Sequence, residues 1–223
     1  MKHASSPDFP AIPPAELAVA CRALQCPVPE DVLAPLGIYL SLLMRWNRVV
    51  NLVGAKSWRE ALRLAADSFF LARFLEGLPL PAQPLIWDLG AGAGLPGIPL
   101  RMLWQAGEYY MVESREKRAI FLNAVLARIT LARTVAVCER AEHFFARMLA
   151  QKRPADCILS RAFMPWGKLL PFVADKLAPG GLVCIAANCP PPGLLFPGHW
   201  ALAAEYVYES DGVRRFFWAL RKS

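Results

Sequence analysis

This chain predicts an α/β fold, a mostly parallel sheet preceded by a helical annex, and three observations carry the prediction. Apolar residues recur at spacings of three and four from about Ala15 to Gly77, the period of amphipathic helices. From residue 85 the pattern changes to short apolar runs alternating with amphipathic segments, as in strands joined by crossover helices. The first of those runs ends in "DLGAGAGLPG" (88–97), which holds four of the chain's 14 glycines within eight positions.

The elements follow in order. Residues 1–14, rich in proline and serine, predict a disordered tail. Residues 15–84 form the annex and its linker. Their two clearest helices are "LGIYLSLLMRWNRVVNLV" (36–53) and "SWREALRLAADSFFLARFLEG" (57–77). In the second, Ser57 is placed to cap with Glu60 three residues on, and Gly77 to stop the helix. "LPLPAQP" (78–84) is a proline-stiffened connection. Residues 85–223 predict strands near 85–89, 109–113, 134–138, 156–160, 181–186, 203–208 and 214–220, with helices near 97–105, 115–130, 141–151 and 165–177. Such alternation winds a Rossmann-like parallel sheet by right-handed crossovers. The last two strands have no helix between them, and "ESDGV" (209–213) reads as their hairpin turn, giving seven strands in all.

Composition excludes several classes. Hydrophobic residues make up 56% and charged ones 19%, ample for a buried core. The longest apolar stretch, "PLGIYLSLLM" (35–44), is about half of what a bilayer requires, so no membrane span is expected. The first 14 residues lack an apolar signal core. Six cysteines lack CxxC spacing and three histidines are dispersed, so no metal site and a reducing, cytoplasmic setting are expected. The net charge of +7 and pI near 9.3 suit an anionic partner such as nucleic acid.

The glycine turn sits where open parallel sheets bind ligands, just past the carboxyl end of the first strand. A phosphate loop is excluded, because Ile98 stands where its lysine must be. Gly92-Ala93-Gly94-Leu95-Pro96-Gly97 satisfies the dinucleotide pattern literally. Asp88 argues against it, since a carboxylate facing a pyrophosphate in a partly desolvated cleft costs about several kcal/mol. A cofactor carrying an ammonium and a sulfonium but no phosphate reverses that sign, and S-adenosylmethionine is such a molecule. Asp88, which helps neutralise the amino-acid end directly or through water, and Gly90, Gly92 and Gly94 are then its cradle, and Glu113 at the end of "YYMVE" accepts the ribose hydroxyls. A tight turn without a ligand and a dinucleotide site remain the alternatives.

Past the third strand, Ala141 and Glu142 of "RAEHF" are candidates for the adenine edge, although an acidic first helical turn reads equally well. Past the fourth strand, "SRAF" (160–163) meets the transferred group. Arg161 can donate to a carboxylate or a guanine edge and Phe163 can stack on a base, the alternative being a surface arginine and a core aromatic. "NCPP" (188–191) resembles base-methylation signatures but follows the fifth strand, and is set aside.

Taken together, "RWNRVVNLVG" (45–54), "ADS" (66–68), "DLGAGAGLPGIPL" (88–100), "VESREKRAIFL" (112–122), "RAE", "SRAF" and "LAPGG" (177–181) resemble the bacterial small-subunit ribosomal RNA guanine-N7 methyltransferases, the GidB-type family. The resemblance spans about residues 40 to 187. It implies a class I S-adenosylmethionine-dependent methyltransferase fold acting on one guanine, in the 530 loop, of 16S ribosomal RNA. It places Gly90, Leu95, Ala141, Glu142 and Arg161 at cofactor contacts, Glu113 at the ribose and Asp88 at the first-strand acid. Arg161, Phe163 and Asp67 are the candidates for a role in catalysis. Two positions depart from the family pattern: Arg63-Leu64-Ala65-Ala66-Asp67-Ser68 lacks its histidine, and Ala187-Asn188 replaces its Lys-Gly.

The expected partner is 16S ribosomal RNA or the assembling small subunit, met by a monomer. Residues 41–77 hold six basic residues against three acidic ones, and Arg115, Lys117 and Arg118 crowd a helix start that disfavours cations, a cost that a phosphate partner would explain, a merely solvated face being the alternative. Two further readings differ in class, a small-molecule methyltransferase and a cofactor-binding RNA module without activity.

Overall fold

The computed structural model describes residues 12–193, 196, 198–210 and 212–222. Three helices come first, α1 (Pro14–Ala23), α2 (Glu30–Val50) and α3 (Trp58–Glu76). Then follow β1 (Leu85–Leu89), α4 (Gly97–Leu103), β2 (Glu108–Glu113), α5 (Glu116–Leu126), β3 (Thr134–Cys138), α6 (Ala141–Ala150), β4 (Ala155–Arg161), α7 (Trp166–Val173), β5 (Leu177–Ala187), β6 (Trp200–Ser210) and β7 (Val213–Lys222). The sheet has seven strands in the order β3-β2-β1-β4-β5-β7-β6. The first five are mutually parallel, and β7 runs antiparallel to both β5 and β6.

Local chemistry sets the annex. The Ser57 hydroxyl accepts the Glu60 N–H at 3.3 Å while the Glu60 carboxylate accepts the Lys56 N–H at 2.8 Å, a reciprocal cap at the start of α3. Asn47, inside "RWNRVVNLVG", fastens the α2–α3 turn: its amide donates to the carbonyls of Val53 and Ala55 and its oxygen accepts the Val53 N–H at 2.8 Å. Gly77 ends α3 as expected but with φ −85°, so the stop comes from the turn into "LPLPAQP" and not from a left-handed residue.

Alternation along β1 divides the core. Ile86 packs on the face covered by α2, α3, α4 and α5, and Trp87 and Leu89 on the face covered by α6 and α7. α3 extends the first layer over the hairpin, where Phe70 stacks on Tyr208 at 4.5 Å and Phe74 on Phe217 at 5.9 Å. On the other face Trp87 stacks on Phe145 at 5.4 Å. Expected and observed elements differ at several ends, three of them by four residues. α5 closes at Leu126, α7 closes at Val173, and β5 begins at Leu177 because "LAPGG" pairs with Ala155 across a bulge before the regular register resumes at Cys157. Residues 1–11 of the expected tail, and Asp211 of the expected hairpin turn, lie outside the described residues.

A side chain that the sequence did not single out fastens the loops at the amino edge of the sheet. Arg101 of α4 is fully buried and donates to the carbonyls of Trp104, Gln105, Ala106, Gly107 and Ala132 and to the Thr134 hydroxyl, at 2.7 to 3.3 Å. Burial pulls its pKa down to about 10, still charged at neutral pH. Replacing it strands several buried carbonyls, and a lysine cannot reproduce the planar fork. Arg101→Leu and Arg101→Lys should both lower Tm by roughly 10 °C, taking about 3 kcal/mol at 2–4 °C per kcal/mol for a chain of this size. Thermal melts decide it, and a lysine variant melting with wild type refutes the role of the fork.

Candidate active site

The parallel strands present their carboxyl ends on one rim, and the β1–α4 turn stands at its centre. Gly90, Gly92 and Gly94 adopt φ of +70°, +58° and +78°, a region that side chains resist. Gly90 and Ala91 donate to the Val112 carbonyl at 2.9 and 3.1 Å, and Gly94 donates to the Ala91 carbonyl at 2.7 Å. Space distinguishes the three glycines. A Cβ at Gly94 would overlap Ile98, and one at Gly90 would come within 2.8 Å of the Phe163 ring, whereas one at Gly92 would meet nothing closer than 3.7 Å.

Glu113 closes the turn from the side. Its two carboxylate oxygens accept the N–H groups of Gly92 at 2.9 Å and Arg115 at 2.8 Å, leaving lone pairs for further donors. The Tyr39 hydroxyl of α2 donates to the Ala93 carbonyl at 3.0 Å and so ties the annex to the same loop. Burial pushes this phenol well above its ordinary range.

Asp88 is placed differently from the expectation that it faces the ligand. It shares the face of Ile86, buried beneath the turn, and accepts the Tyr109 hydroxyl at 3.0 Å. The missing Cβ of Gly97 makes room for it, since a Cβ there would lie 2.7 Å from the Asp88 carboxylate. Burial pushes its pKa up to about 7, against the Tyr109 hydrogen bond and the Arg161 charge, which both pull it down.

Beside the turn lies a cavity of about 290 Å³ lined by Gly90, Val112, Ser114, Glu139, Arg140, Ala141, Glu142 and Phe163. It gathers Gly90, Ala141, Glu142 and Phe163 of the expected residues. The others stand around it: Glu113 and Gly92 at its edge, Gly94 packed against Ile98, Leu95 against the core, and Asp67, Asp88 and Arg161 behind the turn. Ser114, Glu139 and Arg140 escaped the sequence reading, although each follows the end of a parallel strand, where a rim residue must stand. The cavity lining carries Glu139 and Glu142 together with Arg140, Glu139 being paired with Arg147 at 3.0 Å, and Glu113 beside it keeps lone pairs that suit hydroxyls. A larger cavity of about 600 Å³ lies within the annex, lined by residues such as Ser41, Asn47 and Trp58, none of them on the rim.

The end of β4 divides two ways. Arg161 turns to the annex, donating to the Leu64 carbonyl at 3.0 Å and pairing with Asp67 at 2.9 Å. Ala162 takes φ +55°, and Phe163 turns to the Gly90 side. Among the described residues no group of metal-ligating side chains is present, and no helix is long and apolar enough to cross a membrane.

A seven-stranded sheet of order 3-2-1-4-5-7-6 with an antiparallel seventh strand, a glycine turn after β1 and an acid at the end of β2 defines the class I S-adenosylmethionine-dependent methyltransferases. The fold aligns along 93% of this chain with the O-methyltransferase TomG of Streptomyces achromogenes, solved with its cofactor, at TM-score 0.60, 16% identity and 96% of that chain. TrmN from Thermus thermophilus aligns at TM-score 0.50 and 22% identity, over 71% of this chain and 49% of its own.

Residues 33–187 match the family described as GidB, rRNA small subunit methyltransferase G, and the chain belongs to that family. The ribosomal RNA small subunit methyltransferase G of Nitratidesulfovibrio vulgaris is 49% identical over 207 residues, 92% of this chain and 93% of its own. Its counterparts in Oleidesulfovibrio alaskensis and Lawsonia intracellularis are 45% and 42% identical and cover 96% and 95% of this chain, 96% and 97% of their own.

The buried Asp88 sets a pH signature. Its folded pKa of about 7 lies above the unfolded value of about 3.8, so the folded state holds a proton the unfolded state releases. This contribution is complete below pH ~4 and is lost as pH rises towards ~7, at up to ~1.4 kcal/mol per unit. Asp88→Asn, which keeps an acceptor for Tyr109, should remove the dependence. Denaturant unfolding of both proteins without ligand, between pH 4 and 8, should show wild type losing ground to the variant as pH rises. Parallel curves contradict this picture of Asp88.

Proposed function

We propose that this chain transfers a methyl group from S-adenosylmethionine to N7 of a guanine in 16S ribosomal RNA, at the 530 loop, working as a monomer in the bacterial cytoplasm. We assign residues 15–84 to an annex that helps hold RNA and residues 85–223 to the methyltransferase domain. The observation that carries the reading is the cavity against the glycine turn with Glu113 beside it. Together they suit a cofactor whose ribose hydroxyls need an acceptor, on a chain that belongs to an rRNA methyltransferase family.

Gly90 and Gly92 would admit the cofactor to the backbone, with Gly94 and Leu95 shaping the turn. Glu113 would take the ribose hydroxyls on its free lone pairs, and Ala141 and Glu142 would border the adenine. Asp88 acts from beneath, as a buried group that sets the height of the turn. When bound, S-adenosylmethionine supplies an electrophilic methyl group on a cationic sulfur. Guanine N7 carries an available lone pair at neutral pH, so no residue has to remove a proton first. The work of the chain is positioning. Phe163, at the cavity wall next to Gly90, is the face on which the target base can rest, and Arg161 and Asp67 hold the end of β4 against the annex.

Two measurements test this. S-adenosylmethionine or its demethylated product should raise Tm by ligand linkage while NAD leaves it unchanged. A methyl-transfer assay on small-subunit rRNA lacking the modification, with the base mapped, should then place one methyl on guanine N7. A rise with NAD alone, or methyl on another atom, overturns the assignment.

A further inference from the structure

α2 and α5 run side by side away from the rim, and two contacts set their alignment. At the rim the Tyr39 hydroxyl meets the Ala93 carbonyl of the glycine turn. About two helical turns further along α2, Trp46 packs on Phe121 of α5 with ring centroids 5.8 Å apart. The start of α5 stands at the rim as well, because Glu113 of β2 accepts both the Gly92 and the Arg115 N–H. Arg118 Nη1 lies 3.7 Å from where a Cβ on Gly92 would stand. The seam between the two helices therefore begins beside the glycine turn and continues down the outside of the annex.

Helical period places the side chains along that seam. At about 100° per residue, Ile38, Arg45 and Val49 share the flank of α2 next to Trp46. Ser41, Met44 and Arg48 take the other flank, towards the annex cavity. On α5, Lys117, Ala124 and Arg128 fall beside Phe121, with Ile120 just outside them. Val49 is 82% exposed, Ile120 49% and Ile38 41%, so a strip of aliphatic surface faces solvent. Its charge has one sign. Residues 38–50 and 117–128 hold five arginines and lysines and no aspartate or glutamate. Among the described residues no carboxylate pairs with Arg45, Lys117 or Arg128, and Arg128 is anchored only to the Ala124 carbonyl of its own helix, at 3.0 Å.

Aliphatic side chains interleaved with unpaired cations match a single-stranded nucleic acid. Its phosphates take the charges, and its unstacked bases take the apolar faces that a duplex would leave uncovered. Continuity with the glycine turn favours the substrate itself over a separate protein, since the RNA has to converge on that turn. We propose that the α2–α5 seam is a docking surface for a single-stranded stretch of the substrate RNA, with Arg45, Lys117 and Arg128 on its phosphates and Ile38, Val49 and Ile120 under its bases. The proposal rests on the reading of the chain as an rRNA methyltransferase, and it extends the RNA footprint from the target guanine to the outer face of the annex.

The test compares full-length wild type with Arg45→Gln, Lys117→Gln, their double variant, the pair Val49→Ser/Ile120→Ser, and Lys152→Gln. Lys152, exposed beyond the end of α6, removes the same charge away from the seam. Binding of an unmodified small-subunit rRNA transcript is measured across a salt series, and turnover by methyl transfer. Each seam glutamine should lower the slope of log Kd against log salt by about one, and the double variant by about two. Lys152→Gln should keep the wild-type slope. The double variant should raise KM for RNA roughly tenfold with kcat within about twofold, because the seam lies off the reacting atoms. Val49→Ser/Ile120→Ser should weaken binding roughly fivefold at every salt concentration and leave the slope unchanged. The Tm rise on adding S-adenosylmethionine should stay within about 1 °C of wild type in all of them, which also shows that they fold.

A wild-type slope in the double variant overturns the proposal, and so does an equal fall in Lys152→Gln, which would make the effect one of net charge. Serine variants that bind RNA as wild type does also overturn it, because the aliphatic strip would then belong to a protein partner. Loss of the cofactor-linked Tm rise overturns it too, by giving the seam to the cofactor loop. A wild type that methylates no small-subunit RNA defeats the functional reading instead. The salt series then decides the seam alone: a slope lower in the double variant but not in Lys152→Gln supports it, and equal slopes overturn it.

Discussion

The glycine turn between β1 and α4 governs the rim, because three alternate left-handed glycines have no shape of their own unless neighbours impose one. Here it is fastened from three sides. From below, Asp88 and Tyr109 share a hydrogen bond in the space that Gly97 leaves open. From the side, Glu113 takes the Gly92 N–H. From the annex, Tyr39 reaches the Ala93 carbonyl. Each fastening spends a polar group that water would otherwise satisfy, and each ends on a different element. The height of the turn, and so the depth of the adjoining cavity, is a property of the whole sheet–annex assembly.

That dependence explains why the annex belongs to the site and is more than a lid over one sheet face. α3 covers the hairpin with Phe70 and Phe74, which fixes Asp67 of the same helix opposite the end of β4. The aromatic packing supplies stabilisation that an exposed ion pair could not, and the ion pair inherits its geometry from the packing. Tyr208 serves both purposes: its ring stacks on Phe70, and burial, with the nearby Asp67 charge, pushes its hydroxyl pKa up. Arg101 does the corresponding work at the opposite edge, where it collects loop carbonyls that no strand can pair.

Much of this was legible in the sequence because hydrophobic period encodes burial directly. Five parallel strands, four crossover helices and an antiparallel pair follow from alternation and length, and the Ser57–Glu60 cap from two residue types at a fixed spacing. What escaped depends on direction. Asp88 sits two residues after Ile86 on the same strand face, so alternation already pointed it into the annex-side core, against the electrostatic argument that aimed it at the ligand. Arg101 was not singled out, since its partners are backbone carbonyls that carry no sequence signal.

The step at Ala162 shows how the rim turns this packing into a site. Were the chain to continue as a strand, Arg161 and Phe163 would project from the same face. At φ +55°, Ala162 breaks that alternation, sending the arginine to Asp67 and the phenylalanine to Gly90. The left-handed conformation costs an alanine about 1 kcal/mol, and it persists because the ion pair on one side and the ring contact on the other both require it. Glycine would adopt the same angles without strain but would also leave them freely. A strained alanine between two anchors thus fixes where the end of β4 meets the annex on one side and the glycine turn on the other.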